Sequence, residues 1–178
     1  VMPIEEGDLS WHWFNEDEIL SGITQMITDK LVAKEDIKVI ERTRLRQVIK
    51  EQELGSSGLV DSTTAAKIGR ILGVDSIVLG TLTYMEVKEG SSVGFGPFET
   101  SSVEAEVALS GRLVDTTTAE IKSSFEGRAK ASDRSFKISN FKGLSFGSTA
   151  FKESALGKSI NQATDSLVKD IAAEIEAS

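Results

Sequence analysis

His12 is the one imidazole in this 178-residue chain, and the chain has no cysteine. A Ser–His pair would have to use His12, which sits between Trp11 and Trp13 in a segment that reads as loop, so no catalytic role is assigned to it. A histidine- or thiolate-based metal site needs several convergent ligands, so the reading expects no metal. Carboxylates are plentiful, as in Glu16-Asp17-Glu18 and the Glu51/Glu53 pair. At helix starts and on helix faces such groups complement the dipole or face water, and they carry no acid–base assignment. Gly94-Phe95-Gly96 is followed by Pro97 and Phe98 and then by a strand. A dinucleotide loop would open a helix, so a hairpin tip or loop is predicted there. Neither a phosphate-binding loop nor a nucleophile elbow is expected. The reading is therefore of a non-enzyme with no cofactor.

The aromatic group Trp11-His12-Trp13-Phe14 is the other chemical signal, because both tryptophans of the chain lie in it. Two readings stand. The rings pack as a staple against the helix that follows, or they make a protein–protein contact or a constriction around a passing chain, a use for which tryptophan is enriched. Trp11, Trp13, Phe14 and Asn15 are the candidate contact residues.

The elements that position them are legible from periodicity. Val1–Ile4 reads as the end of a strand, from which sequence upstream of it, with a targeting segment, is inferred to have been removed. Asn15 is a predicted N-cap, followed by a helix to about Val32 whose buried stripe is Ile19, Ile23, Met26, Ile27 and Leu31. Ile37–Ile40 is a predicted short strand. Thr43 begins a second helix, with Leu45, Val48 and Ile49 inward, and Gly55 and Gly58 break it. Asp61 caps a third helix, Ser62 to Leu72, and Gly73 ends it. Ile77–Tyr84 is almost continuously apolar or β-branched, as in a strand covered on both faces. Val103–Leu113 alternates, Asp115–Ala119 turns, and Ile121–Ala129 returns, which predicts an antiparallel pair. A closing helix carries Leu156, Ile160, Ala163, Leu167, Ile171 and Ile175 inward. The expected fold is α/β (α+β): one domain over residues 1–178, with a mixed sheet of about five strands, helices packed on it, an antiparallel C-terminal strand pair and a closing helix.

Acidic residues exceed basic ones by 28 to 20, for a net charge of −8. That disfavours nucleic acid and adsorption to an anionic membrane surface. No apolar run approaches the ~20 residues of a spanning helix.

A longer pattern adds to this. Val39-Ile40-Glu41-Arg42-Thr43-Arg44-Leu45, Val48-Ile49-Lys50-Glu51-Gln52, Ser57-Gly58-Leu59-Val60-Asp61, Thr64-Ala65-Ala66-Lys67-Ile68-Gly69 and Leu72-Gly73-Val74-Asp75 precede the strand ending in Gly80-Thr81-Leu82-Thr83. In this order and spacing the chain resembles the CsgG family, the curli production assembly and transport components. Leu113-Val114-Asp115-Thr116-Thr117-Thr118-Ala119-Glu120-Ile121 is similar to that family's hairpin segment, with Ala119 where glycine is usual. The resemblance implies a periplasmic α/β domain attached to the outer membrane of a Gram-negative bacterium by a lipidated N-terminal cysteine, which this chain lacks. It implies a homo-oligomeric ring in which each copy contributes two hairpins to a transmembrane barrel, here at residues 85–102 and 130–150. A loop that narrows the pore would fall at Trp11–Asn15. The function expected is a non-enzymatic component of a secretion or surface-assembly system, with envelope or secreted proteins as partners and no nucleic acid. The alternative is a soluble periplasmic adaptor of an envelope enzyme, such as an activator of penicillin-binding proteins. Asp133, Arg134, Lys137 and Lys142 fall on both alternations of the second insert, and a charge on the lipid face of a barrel strand costs about 2–4 kcal/mol near the midplane.

Overall fold

The computed structural model describes residues 1–7, 16–40, 47, 61–90, 102–134 and 144–177. Among them a four-stranded sheet runs in the order β1 (Glu5–Glu6), β2 (Ser76–Glu89), β3 (Val103–Asp115), β4 (Ile121–Asp133). β1 lies parallel to β2, and the other two pairings are antiparallel. Four helices accompany it: α1 (Glu16–Val32), α2 (Ser62–Leu72), α3 (Thr149–Glu153) and α4 (Ala155–Ala177). This is the mixed sheet-and-helix fold expected from periodicity, with four strands where about five were predicted.

The missing strand is Ile37–Ile40, which joins no ladder. Its side chains still alternate: Ile37 and Val39 pack on the main core and Ile40 on a second cluster. Its apolar pattern reflects this packing on two sides, which is the burial pattern of a strand without the backbone pairing.

α1 and α4 cover one face of the sheet. Ile19, Ile23, Ile27 and Leu31 of α1 and Leu156, Ile160, Ala163, Leu167 and Ile171 of α4 are buried against Val78, Leu82, Val107, Leu109 and Leu113. Met26, in the predicted stripe of α1, is partly buried against the same core. The helix-to-sheet approach is close because the sheet is thin where α4 crosses. A Cβ on Gly127 would overlap the Ala163 carbonyl oxygen, and one on Gly111 would press on Leu167 Cδ1 at 3.0 Å. α2 covers the opposite face, but only at the start of β2 and the end of β3, burying Ala65, Ala66 and Ile68 on Ile77, Leu79 and Val114.

β2 is longer than its apolar run. A bulge between Leu82 and Tyr84 leaves Thr83 unpaired in register, and its hydroxyl donates to the Ala108 carbonyl at 3.1 Å. An extra residue inverts the facing of everything after it. Before the bulge Val78 and Leu82 face the main core; after it Met85 and Val87 do, while Tyr84, Glu86 and Lys88 turn to the outer face.

The two ends of the sheet are built differently. At the lower end Asp61 accepts from the Thr64 amide at 2.7 Å and caps α2, and Gly73, with φ 68°, closes it in the left-handed region. The β3–β4 turn docks there: the Thr116 hydroxyl donates to the Val74 and Asp75 carbonyls at 2.5 and 3.1 Å. Asp115 accepts from the Thr117 and Thr118 amides at 2.7 and 3.0 Å. Ala119, at the position where the resembling family carries glycine, has φ 65°.

Candidate functional site

At the upper end the register sets Glu89, Val103 and Asp133 side by side in one row across β2, β3 and β4. The Gly90 amide donates to the Ser102 carbonyl at 2.7 Å, which is the last described rung of the β2–β3 pair. The two segments predicted as hairpin inserts therefore leave the sheet as neighbours. Their ends belong to the sheet: residues 85–89 lie in β2 and 130–133 in β4, while Thr149 and Ala150 begin α3. Residues 91–101 and 135–143 lie outside the described residues.

β1 points to the same end. It runs parallel to β2, and the Gly7 amide donates to the Leu82 carbonyl at 2.9 Å. α1 starts there and descends, since Leu31 borders a cleft of about 450 Å³ at the lower end together with Ser76 and Leu113. Trp11, Trp13, Phe14 and Asn15 themselves lie outside the described residues. What the fold brings together is their approach, through β1 and α1, with the roots of both predicted inserts. Of the second helix predicted from Thr43 only Gln47 is described, and it is helical; Gly94-Phe95-Gly96 and His12 lie outside the described residues.

The outer face beneath this end is polar. Arg128 pairs with Glu106 at 2.7 Å, Lys130 with Glu104 at 3.0 Å and Lys88 with Glu86 at 3.3 Å. The Arg128 guanidinium also lies 5.2 Å from the centre of the Tyr84 ring. Hydrogen bonding to Glu86 raises the Tyr84 pKa, and the Lys88 ammonium lowers that of Glu86. All of these groups are in contact with water, where such pairs contribute little to stability. On the lipid face of a barrel strand each such charge would cost about 2–4 kcal/mol near the midplane.

Two short spellings need correction against the expectation that neither a nucleophile elbow nor a phosphate loop is present. Gly143-Leu144-Ser145-Phe146-Gly147 does match Gly-x-Ser-x-Gly. An elbow needs a strand running into a helix with the serine at the bend. Ser145 is instead exposed in an irregular segment, where its carbonyl accepts from the Ser148 amide at 3.2 Å. Gly157-Lys158-Ser159 has the end of a phosphate loop, but Lys152 stands where that motif begins with glycine. α3, not a strand, precedes it. Ser159 is buried and donates to the Leu156 carbonyl at 2.9 Å, and Lys158 pairs with Asp133 at 3.6 Å. Among the described residues no group of three or more His, Cys, Asp or Glu side chains is placed to hold a metal. No helix there is long and apolar enough to cross a membrane.

One contact at the upper end had no signal in the sequence. The Phe146 amide donates to Glu18 Oε1 at 2.8 Å. The Phe146 ring fills the space that a Cβ on Gly22 would need. Its centroid is 4.7 Å from that of Phe151, with the rings tilted by 40°. Glu18 and Phe146 are far apart in sequence, and no local spacing reveals such a pair.

Residues 6–178 match the family described as the curli production assembly/transport component CsgG. The chain belongs to the CsgG family. No curated protein sequence matches it. In fold, this CsgG-family chain is similar to the hypothetical protein CT253 from Chlamydia trachomatis, with 13% identity, a TM-score of 0.52, and 99% of this chain and 93% of that chain covered. The LpoB C-terminal domain from Salmonella enterica shares 18% identity, with a TM-score of 0.44 over 71% of this chain and 76% of that one. Lipoprotein GNA1162 from Neisseria meningitidis shares 15%, with a TM-score of 0.44 over 89% of each.

Proposed function

We propose that this chain is a non-enzymatic component of an outer-membrane secretion or surface-assembly system of the curli type. It acts in the periplasm or at the outer membrane of a Gram-negative bacterium, by homo-oligomerisation and by contacts with envelope or secreted proteins. Family membership supports the envelope setting. The observation that carries the reading is the common exit of both inserts from the row Glu89–Val103–Asp133. A surface that presents several connections at one end suits a ring whose copies meet a passing chain. Trp11, Trp13, Phe14 and Asn15 are its contact residues.

The test is electron microscopy of protein produced from its complete gene and held in detergent. Rings with a central hole are the expected result, and monodisperse monomers would overturn the reading. Trp13→Ala then addresses the contact residues, since secretion that proceeds unchanged in this variant would remove them from the site.

A second reading has an observation of its own. Eleven residues, 91–101, separate the last described rungs of β2 and β3. Each barrel strand needs ~9–11 residues, so this connection is too short to supply two. Charged rows on the outer face keep the preceding strand residues from serving in lipid. A periplasmic adaptor that regulates an envelope enzyme, such as a penicillin-binding protein, fits these lengths. Monomers in the microscope would favour it.

A further inference from the structure

We propose that the outer edge of β4 is a docking site for an extended peptide segment that alternates acidic and apolar residues and adds to the sheet as a further strand. β4 runs 13 residues from Ile121 to Asp133 and is the last strand in the sheet order. The other edge offers no equivalent, because β1 is two residues long and follows Pro3, which has no amide to donate. Which peptide groups of β4 face outward follows from the pairing of β3. The carbonyls of Ser102 and Ala108 accept from the Gly90 amide and the Thr83 hydroxyl on the β2 side, at 2.7 and 3.1 Å. Residues of an antiparallel ladder turn their N–H and C=O to one neighbour and then to the other in alternation. Ala108 is thus turned away from Arg128, its partner on β4, and Arg128 directs both its backbone groups outward. By the same alternation Ser124, Glu126, Lys130 and Ser132 do so too. All five residues are exposed, and among the described residues no backbone group bonds to these outward groups.

The neighbours of this edge decide what fits there. A second copy cannot pair its own β4 with this one. α4 sits directly on β4, since a Cβ on Gly127 would overlap the Ala163 carbonyl oxygen and press on Leu167 Cβ at 3.0 Å. Paired strands lie about 4.7–4.9 Å apart, whereas packed helix axes need about 8–10 Å. Two copies of α4, each seated on its own β4, would collide. The occupant is therefore an extended segment with no helix on its core side. Its pattern is that of the strand β4 already binds. On β3, Glu106 meets Arg128 at 2.7 Å and Glu104 meets Lys130 at 3.0 Å on the outer face, while Ala105 and Val107 are buried on the core side. A strand added at the outer edge meets the same two cations on one face. On the other it meets Phe125 and Ala129, which rest half-buried on the core. Strand addition of this kind takes affinity from the main chain and specificity from alternate side chains. Arg128 leans back over β3 toward the Tyr84 ring, 5.2 Å away, so it does not guard the edge as edge cations commonly do.

The site is separate from Trp11–Asn15, and its test needs neither secretion nor a ring. A fluorescein-labelled peptide of alternating valine and glutamate is titrated with the protein and followed by polarisation, beside a peptide of alternating valine and lysine. Saturable binding of the glutamate peptide and none of the lysine peptide is expected. In proton–nitrogen NMR spectra the bound peptide is expected to slow amide exchange at Ser124, Glu126, Arg128, Lys130 and Ser132 by about tenfold or more. Ala129 and Ala131, whose amides face β3, are expected to stay unchanged. Arg128→Ala is expected to weaken binding about fivefold with no change in melting midpoint. Glu126→Pro removes an outward amide and no bond to β3, and is expected to abolish binding. If Glu126→Pro fails to fold, the exchange pattern decides. Absence of binding, equal binding of the two peptides, or binding that leaves the exchange of those five amides unchanged would overturn the proposal. So would an oligomer of the parent that Glu126→Pro dissociates, since the edge would then hold a second copy.

Discussion

The lower and upper ends of this sheet are made of the same strands and do different work. At the lower end, among the described residues, the α2 caps and the β3–β4 turn are secured by bonds with named partners. Asp61 and Gly73 bound α2, Thr116 ties the β3–β4 turn to the Val74 and Asp75 carbonyls, and Asp115 holds two amides of that turn. At the upper end the described structure is strand, surface ion pairs and one partly exposed aromatic contact. The difference teaches where stability and contact are separated. Among the described residues, hydrogen-bonded turns gather at one end, and the roots of the connections 91–101 and 135–143 lie at the other.

The largest expected effect lies where the closed end is tightest. A Cβ on Gly69 would overlap Thr116 Cγ2, and Thr116 cannot rotate away without giving up its hydroxyl bonds. Gly69→Ala is expected to destabilise the protein by about 2 kcal/mol, as overpacking of a filled site does. Urea denaturation measures this, and a midpoint equal to that of the parent would mean that the turn is not docked on α2. A smaller effect of opposite sign is expected next to it. Ala119 holds φ 65°, which disfavours any residue with a Cβ, so Ala119→Gly is expected to stabilise by about 1 kcal/mol. A loss of stability in this variant would show that the left-handed turn is not the conformation in solution.

The same contrast explains how much of the molecule was legible in advance. α2 was readable because a cap, a short amphipathic run and a glycine stop are all local signals, and they fall at Asp61, Ser62–Leu72 and Gly73 as expected. The β3–β4 hairpin was readable because its alternation is regular up to Ala129. Its last residues, Lys130–Asp133, fall in the expected insert because Ala131 and Ser132 give a weak apolar signal. The apolar pattern of β2 stops at Tyr84 for a different reason. The bulge at Thr83 reverses the alternation, so Met85 and Val87 continue the buried face out of phase with Val78 and Leu82. The composition of Ile37–Ile40 predicts a strand because burial on two sides gives the same pattern with or without a ladder. The Phe146–Glu18–Gly22 contact was invisible, since it depends on a long-range approach to a glycine that carries no pattern of its own.

Acid should weaken the lower end. Backbone bonds from Thr64 lower the Asp61 pKa, and those from Thr118 and then Thr117 lower that of Asp115, with a further contribution from Lys122 at 3.3 Å. A carboxyl whose folded pKa lies below its ordinary value stabilises the fold fully above that ordinary value. The contribution is lost as pH falls through the folded value. The melting midpoint is therefore expected to decline below about pH 4, the ordinary carboxylate range. Asp115→Asn should make that decline shallower. An equal slope in parent and variant would remove Asp115 as a source of the acid sensitivity.

The smallest effect belongs to the open end. Arg128 touches Glu106, Glu126 and the Tyr84 ring on the outer face. Its side chain is nevertheless 53% exposed. Exposed pairs lose to hydration and side-chain entropy most of what they gain by attraction. Arg128→Ala is expected to leave the melting midpoint where it is, at low and at high salt alike. A clear drop would mean that the outer face is screened from water by something packed on it, and the open end would then need to be redrawn as an interface that is already occupied.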